Sequence, residues 1–99
     1  MSNLFEYTPP ELDSESFETL LSHKNVEIKT IVSNTLQTPQ TFQQSCDEWV
    51  VVLQGCAKIE MDGIIHKLKK GESLFIEANR EHRLLKTKKI VIWLAVYIR

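Results

Sequence analysis

The chain has 99 residues, of which 42% are hydrophobic and 25% charged, and a formal net charge of −1. That length suits a single core and that composition excludes a disordered chain. No apolar run approaches the roughly 20 residues that cross a bilayer, and the acidic N-terminus lacks the basic and apolar segments of a secretory leader.

Two cysteines, Cys46 and Cys56, make no disulfide framework. The expectation is a cytoplasmic protein without a membrane partner. Residues 1–57 carry two lysines against eight acids, and residues 58–99 carry ten bases against five acids. Strand side chains alternate between faces, so these charges are expected to intermix in one small fold. The stripe of bases and aromatics that single-stranded nucleic acid requires is missing, so no nucleic-acid partner is expected.

In chain order, Pro9-Pro10 excludes a helix or central strand at the start. A short helix is expected next. Asp13 is its cap, Leu12 and Phe17 form a staple, and Phe17, Leu20 and Leu21 make an apolar stripe at i, i+3 and i+4. His23 falls in its last turn, where a basic group is favourable. Residues 1–25 are thus an N-terminal extension of the same domain, and residues 26–99 are the strand-rich body.

From Val26 the apolar period becomes two. VEIKTIVS is a strand, residues 34–45 hold a loop and an edge strand, and EWVVVLQ at 48–54 is a β-branched run compatible with burial on both sides. Gly55 breaks it, and CAKIEM alternates. Asp62-Gly63 marks a two-residue hairpin. IIHKLKK, SLFIE, HRLLKT and KIVIWLAVYI follow. About eight short strands separated by turns imply a closed or sandwiched all-β architecture.

Two stretches carry the motif signal: DEWVVVLQG from Asp47, and GESLFIEANREHR from Gly71. They resemble the two motifs of the cupin superfamily, G-x5-HxH-x3–4-E-x6-G and G-x5-PxG-x2-H-x3-N. Glu48-x6-Gly55 fits the end of the first. Gly71, Leu74-Phe75-Ile76 and His82 fit the second, with Ala78-Asn79 near the Pro-x-Gly place. More narrowly, DEWVVVLQG, GESLFIEANREHR and WLAVY resemble small single-domain bacterial cupins of unassigned function. The resemblance implies a cupin double-stranded β-helix, a jelly-roll barrel, with the short helix in front.

It also implies a site inside that barrel. A three-residue spacer before Glu48 puts the two histidine positions on Phe42 and Gln44, and a four-residue spacer puts them on Thr41 and Gln43. Neither register contains histidine. The surviving candidate ligands of a divalent transition metal are Gln44, Glu48 and His82, with Glu48 and His82 as catalytic candidates. Trp49 and Tyr97 join them as pocket residues. Transition metals favour imidazole-rich sites, so an amide in place of a histidine weakens such a centre. A metal-free His82 paired with Glu48 would still suit acid–base chemistry.

Other residues take plainer roles. His66 alternates with Ile64 and Leu68 and reads as a hydrogen-bonded core histidine. Cys46 lacks a positioned partner and reads as inert. Trp93 is a core or wall aromatic, and Lys67, Lys69 and Lys70 form a solvated face that also guards an edge. Three functions follow: a non-catalytic barrel binding a small polar molecule through a degenerate metal-type site; a metal-dependent oxygenase, isomerase or decarboxylase; and a structural homodimer unit. A homodimer is expected, paired by strand exchange or face packing, with the Val26–Ser33 strand and the C-terminal strand as participants.

Overall fold

The alternation that begins at Val26 builds strands throughout, and the computed structural model describes residues 3–99. It has nine: β1 (Ser14–His23), β2 (Val26–Asn34), β3 (Gln40–Phe42), β4 (Asp47–Gln54), β5 (Cys56–Met61), β6 (Ile64–Lys69), β7 (Ser73–Ile76), β8 (His82–Leu84) and β9 (Ile90–Ile98). They form a five-stranded sheet in the order β1-β2-β9-β4-β7 and a four-stranded sheet in the order β3-β8-β5-β6. All pairings are antiparallel.

Strand β9 sits at the centre of the larger sheet. It pairs with β2 from Val26↔Ile98 to Asn34↔Ile90, and on its other side with β4. A strand enclosed this way has no solvated ladder, which suits the unbroken run IVIWLAVYI. The two inner faces meet in a core that includes Val50, Val52, Ile59, Ile76, Leu84 and Trp93. Leu36, in the loop after β2, is fully buried in that core. Its N–H donates to the Thr87 hydroxyl at 2.9 Å, and the Thr87 N–H donates back to its carbonyl at 3.0 Å.

The N-terminal helix expected from the sequence is not formed. Residues Ser14–His23 are instead β1, paired with β2 along its length and bulged between Thr19 and Leu21. An isolated helix of this length is marginal in water, whereas an open sheet edge offers every residue a ladder partner, so tertiary pairing overrides the local stripe. Asp13 does accept backbone N–H groups, as a cap would, but from the loop after β2. Gln37 N and Thr38 N donate to its Oδ1 at 2.7 and 3.0 Å. Those two bonds hold its carboxyl below the usual range.

The Asp62-Gly63 turn closes the β5–β6 hairpin with φ of 54° and 75°, as the dipeptide requires. His66 shares the inward face with Leu68 but is only partly buried, towards the hairpin end. Both cysteines are free.

Gly55 is where β4 turns into β5, and it is constrained twice. Its φ is +87°, and an added Cβ would lie 2.7 Å from the carbonyl oxygen of Ile90. Gly71 has a similar φ of +86° but open space around it. Gly71→Ala should therefore cost only the left-handed backbone penalty, about 1–2 kcal/mol. Gly55→Ala should cost clearly more, because the β9 backbone must also move. Chemical denaturation of both variants checks the order, and equal losses would contradict it.

Candidate functional site

Strand alternation decides which side chains enter the barrel. On β4 the even residues Glu48 and Val50 face in, and on β9 the odd residues Trp93, Ala95 and Tyr97 do so. Register places Glu48 opposite Tyr97 on one side and Ile76 on the other. On β1, Glu15 and Phe17 lie opposite Ser33 and Ile31 of β2 and face the same interior. The smaller sheet supplies Phe42, Ile59, His82 and Leu84. Together these line a cavity of about 60 Å³. One water needs roughly 10–15 Å³ on this measure, so it admits a few waters or the head of a small molecule.

Glu48 is the polar centre, 6% exposed. Gln44 Nε2 donates to its Oε1, and it shares a further hydrogen bond with the Tyr97 hydroxyl. Burial pushes its carboxyl above the ordinary range, against the opposing pull of His82, Gln44, Tyr97 and Lys29. Burial and the neighbouring Glu48 charge likewise raise the Tyr97 phenol far beyond its usual value.

His82 is 5% exposed, and its Nδ1 lies 3.1 Å from the carbonyl oxygen of Arg80. That carbonyl can only accept, so Nδ1 carries a proton, and the neutral form of the ring would offer Nε2 as an acceptor. Nε2 lies 3.8 Å from Glu48 Oε1, beyond hydrogen-bond reach. Phe42 stacks on the imidazole, with centroids 5.7 Å apart and planes 24° from parallel. The loop holding Gln44 is tied to the turn before His82, since Asn79 N donates to Gln44 O at 2.7 Å and Gln43 Nε2 donates to Asn79 O at 2.8 Å.

A second carboxyl, Glu15, completes the polar wall. The Trp93 indole N–H donates to Ser33 Oγ at 3.1 Å, and Ser33 Oγ donates to Glu15 Oε2 at 2.5 Å. Burial raises the Glu15 carboxyl too, the Ser33 hydroxyl opposes that, and the Glu48 charge adds to it. Lys29 stands outside this wall. Its Nζ pairs with Glu27 at 3.5 Å and lies 5.5 Å from the centroid of the Tyr97 ring.

Gln44, Glu48, His82 and Tyr97 therefore converge as the sequence suggests. Phe42 and Gln44, rather than Thr41 and Gln43, occupy the two histidine places on the wall, so the three-residue spacer is the structural one. Trp49 does not join them. It is 38% exposed on the outer face, opposite Phe75, because a residue adjacent to inward Glu48 must point outward. Trp93 is the tryptophan of the cavity. Glu15 and Phe17 are not among the expected site residues, because the apolar stripe of their segment predicts a helix. The alternation Glu15, Phe17, Thr19 was the available signal.

The set does not fit the divalent transition metal expected from the resemblance. Among the described residues no three His, Cys, Asp or Glu side chains are grouped to hold an ion. Gln44 turns its amide nitrogen, which cannot ligate, toward Glu48. One imidazole and one carboxylate already holding two hydrogen bonds remain, well short of two histidines and a carboxylate.

Comparison with known proteins agrees with this architecture. Residues 28–97 match the Cupin_2 family, described as a cupin domain. The chain is a cupin. A crystal structure from Ralstonia eutropha JMP134, provisionally named a mannose-6-phosphate isomerase, is 31% identical, with a TM-score of 0.84 over 99% of this chain and 96% of that one. The EutQ protein of Clostridium difficile shares the fold at 16% identity and a TM-score of 0.75, over 85% of this cupin and 67% of that chain. A conserved Streptococcus pyogenes protein of unknown function does so at 20% identity and a TM-score of 0.75, over 100% and 96% of the two chains. No curated protein matches this cupin in sequence. Among the described residues there is no helix long and apolar enough to cross a membrane.

The two raised carboxyls make stability depend on pH with a definite sign. Between the unfolded value near 4.5 and their raised folded values, Glu15 and Glu48 hold more protons folded than unfolded. Folding stability should therefore fall as pH rises through that window. Asp13, whose pKa is lowered from 3.8, acts at lower pH and with the opposite sign. Thermal melts from pH 4.5 to 7.5 should show the decline in the wild type and a smaller one in Glu48→Gln. An equally steep decline in that variant would remove Glu48 as a cause.

Proposed function

We propose that this cupin binds a small polar molecule in its barrel without a metal ion, through Glu48 and His82, and does so without turnover. The observation that carries this reading is the 3.8 Å gap between Glu48 Oε1 and His82 Nε2 inside a cavity. Two polar atoms too far apart to bond each other can both be reached by one ligand atom or water seated beside them in the cavity. Gln44, Tyr97 and Phe42 hold both groups in place, which lowers the cost of ordering a site on binding.

A thermal-shift screen of small polyols, monosaccharides and amino compounds tests it. At least one should raise Tm in the wild type, and Glu48→Gln and His82→Ala should each abolish the shift. Elemental analysis of natively purified protein should find no stoichiometric transition metal. A bound metal lost in both variants would overturn the metal-free reading.

A second reading is catalytic. An imidazole beside a raised carboxyl is a competent proton-transfer pair, and the provisional name of the Ralstonia relative suggests a sugar phosphate as substrate. Against it, no Lys or Arg lines the cavity to receive a phosphate dianion, while two glutamates do line it. Mannose 6-phosphate incubated with the protein and followed by NMR should remain unchanged.

We also infer that this cupin forms a homodimer, but not by strand exchange through β2 or β9. Both are interior strands paired on each side. The outer face of the larger sheet instead exposes Trp49, Phe75 and Ile98, at 38%, 51% and 44%, with Trp49 and Phe75 in direct register. Such an apolar patch favours burial against a second copy. Sedimentation should give a dimer at micromolar concentration and a monomer for Trp49→Glu. A wild-type monomer would refute it.

A further inference from the structure

The wall of the cavity divides its polar atoms in an unequal way. Most of its donors are engaged, with one N–H of the Gln44 amide left over. The Trp93 indole N–H is spent on Ser33, the Ser33 hydroxyl on Glu15, the Gln44 amide and the Tyr97 hydroxyl on Glu48, and the His82 Nδ1–H on Arg80. What faces the open space is acceptors. A carboxylate offers about four lone-pair sites. The bonds just named use two on Glu48 and one on Glu15, and leave His82 Nε2 unpartnered on a side chain only 6% exposed.

The charge is as one-sided as the hydrogen bonding. Glu15 and Glu48 line the cavity, and none of the lining residues is Lys or Arg. The nearby Lys29 is already paired with Glu27. Two carboxylates in a largely apolar enclosure are costly unless a cation joins them. The remaining walls, Phe17, Ile31, Phe42 and Trp93, are hydrocarbon and aromatic surface.

We propose that the ligand is a small primary ammonium ion, R–NH3+, with its N–H groups shared among Glu48, Glu15 and His82 Nε2 and its carbon chain against Phe17 and Ile31. An ammonium group carries three donors and no acceptor, the complement of this wall. Binding adds positive charge directly beside the two glutamates, and the aromatic faces add a favourable cation–π contact. A carboxylate or phosphate ligand would meet two like charges. A neutral alcohol could donate only one hydrogen bond. This inference rests on the metal-free binding reading and narrows it to one chemical class.

Protein NMR of the full chain tests it, because the two indole N–H signals report opposite faces. Trp93 lies in the cavity and Trp49 outside it. Titration with n-propylammonium chloride should shift the Trp93 signal saturably and leave Trp49 unmoved. Propan-1-ol should bind about tenfold more weakly or worse, and propionate should not bind. Glu15→Gln, which keeps an acceptor for Ser33, should weaken propylammonium about tenfold and leave propan-1-ol unchanged. Glu48→Gln is the second variant and should weaken propylammonium at least tenfold. Equal affinity for amine and alcohol, or amine binding indifferent to both substitutions, would overturn the proposal. A neutral polyol that binds through Glu48 and His82 while the amine does not would sink the ammonium ligand and keep the binding reading. Silence from every compound would sink both.

Discussion

Strand β9 is the element on which the fold and the cavity jointly depend. It is paired on both sides, so its side chains have only two directions available, and both are crowded. Its inward residues then carry the site. Trp93 anchors the Ser33–Glu15 chain through its indole, and Tyr97 anchors Glu48 through its hydroxyl. Packing of the larger sheet thereby fixes where the two carboxyls sit. A change that slipped β9 by one residue would move both aromatic anchors to the outer face.

Burial of the carboxyls is the energetic counterpart of that geometry. An apolar barrel disfavours the charged form, and Glu15 and Glu48 both respond with raised pKa values. The protein retains them because each is held by donors: Ser33 on one, Gln44 and Tyr97 on the other. Such a network is costly when half satisfied, and its unused acceptors point into the only space they share. The ligand class proposed for the cavity and the pH dependence expected of folding share this one origin.

Where cupin motifs place paired histidines, this chain has Phe42 and Gln44. Both substitutions are put to structural use. Phe42 stacks on the one remaining imidazole, and Gln44 donates to the one remaining motif carboxylate. The positions that would hold a metal now hold each other, so the barrel keeps its shape while the chemistry it can host changes.

The barrel and half of the site are legible in the order of the residues. The glycine spacing, the period-two runs and the Asp62-Gly63 turn are local signals, and each local conformation they demand is formed. Glu48 and His82 were legible because their motif neighbours place them. Trp49 was misplaced although strict alternation from Glu48 already sends it outward. Only the tertiary structure decided the rest. Ser14–His23 has a helical stripe, and it becomes a strand because β2 offers an open edge, a fact no local window contains. That pairing alone brings Glu15 and Phe17 into the cavity, opposite residues 33 and 31. The direction of each hydrogen bond, and with it the wall of acceptors, exists only once residues distant along the chain are side by side.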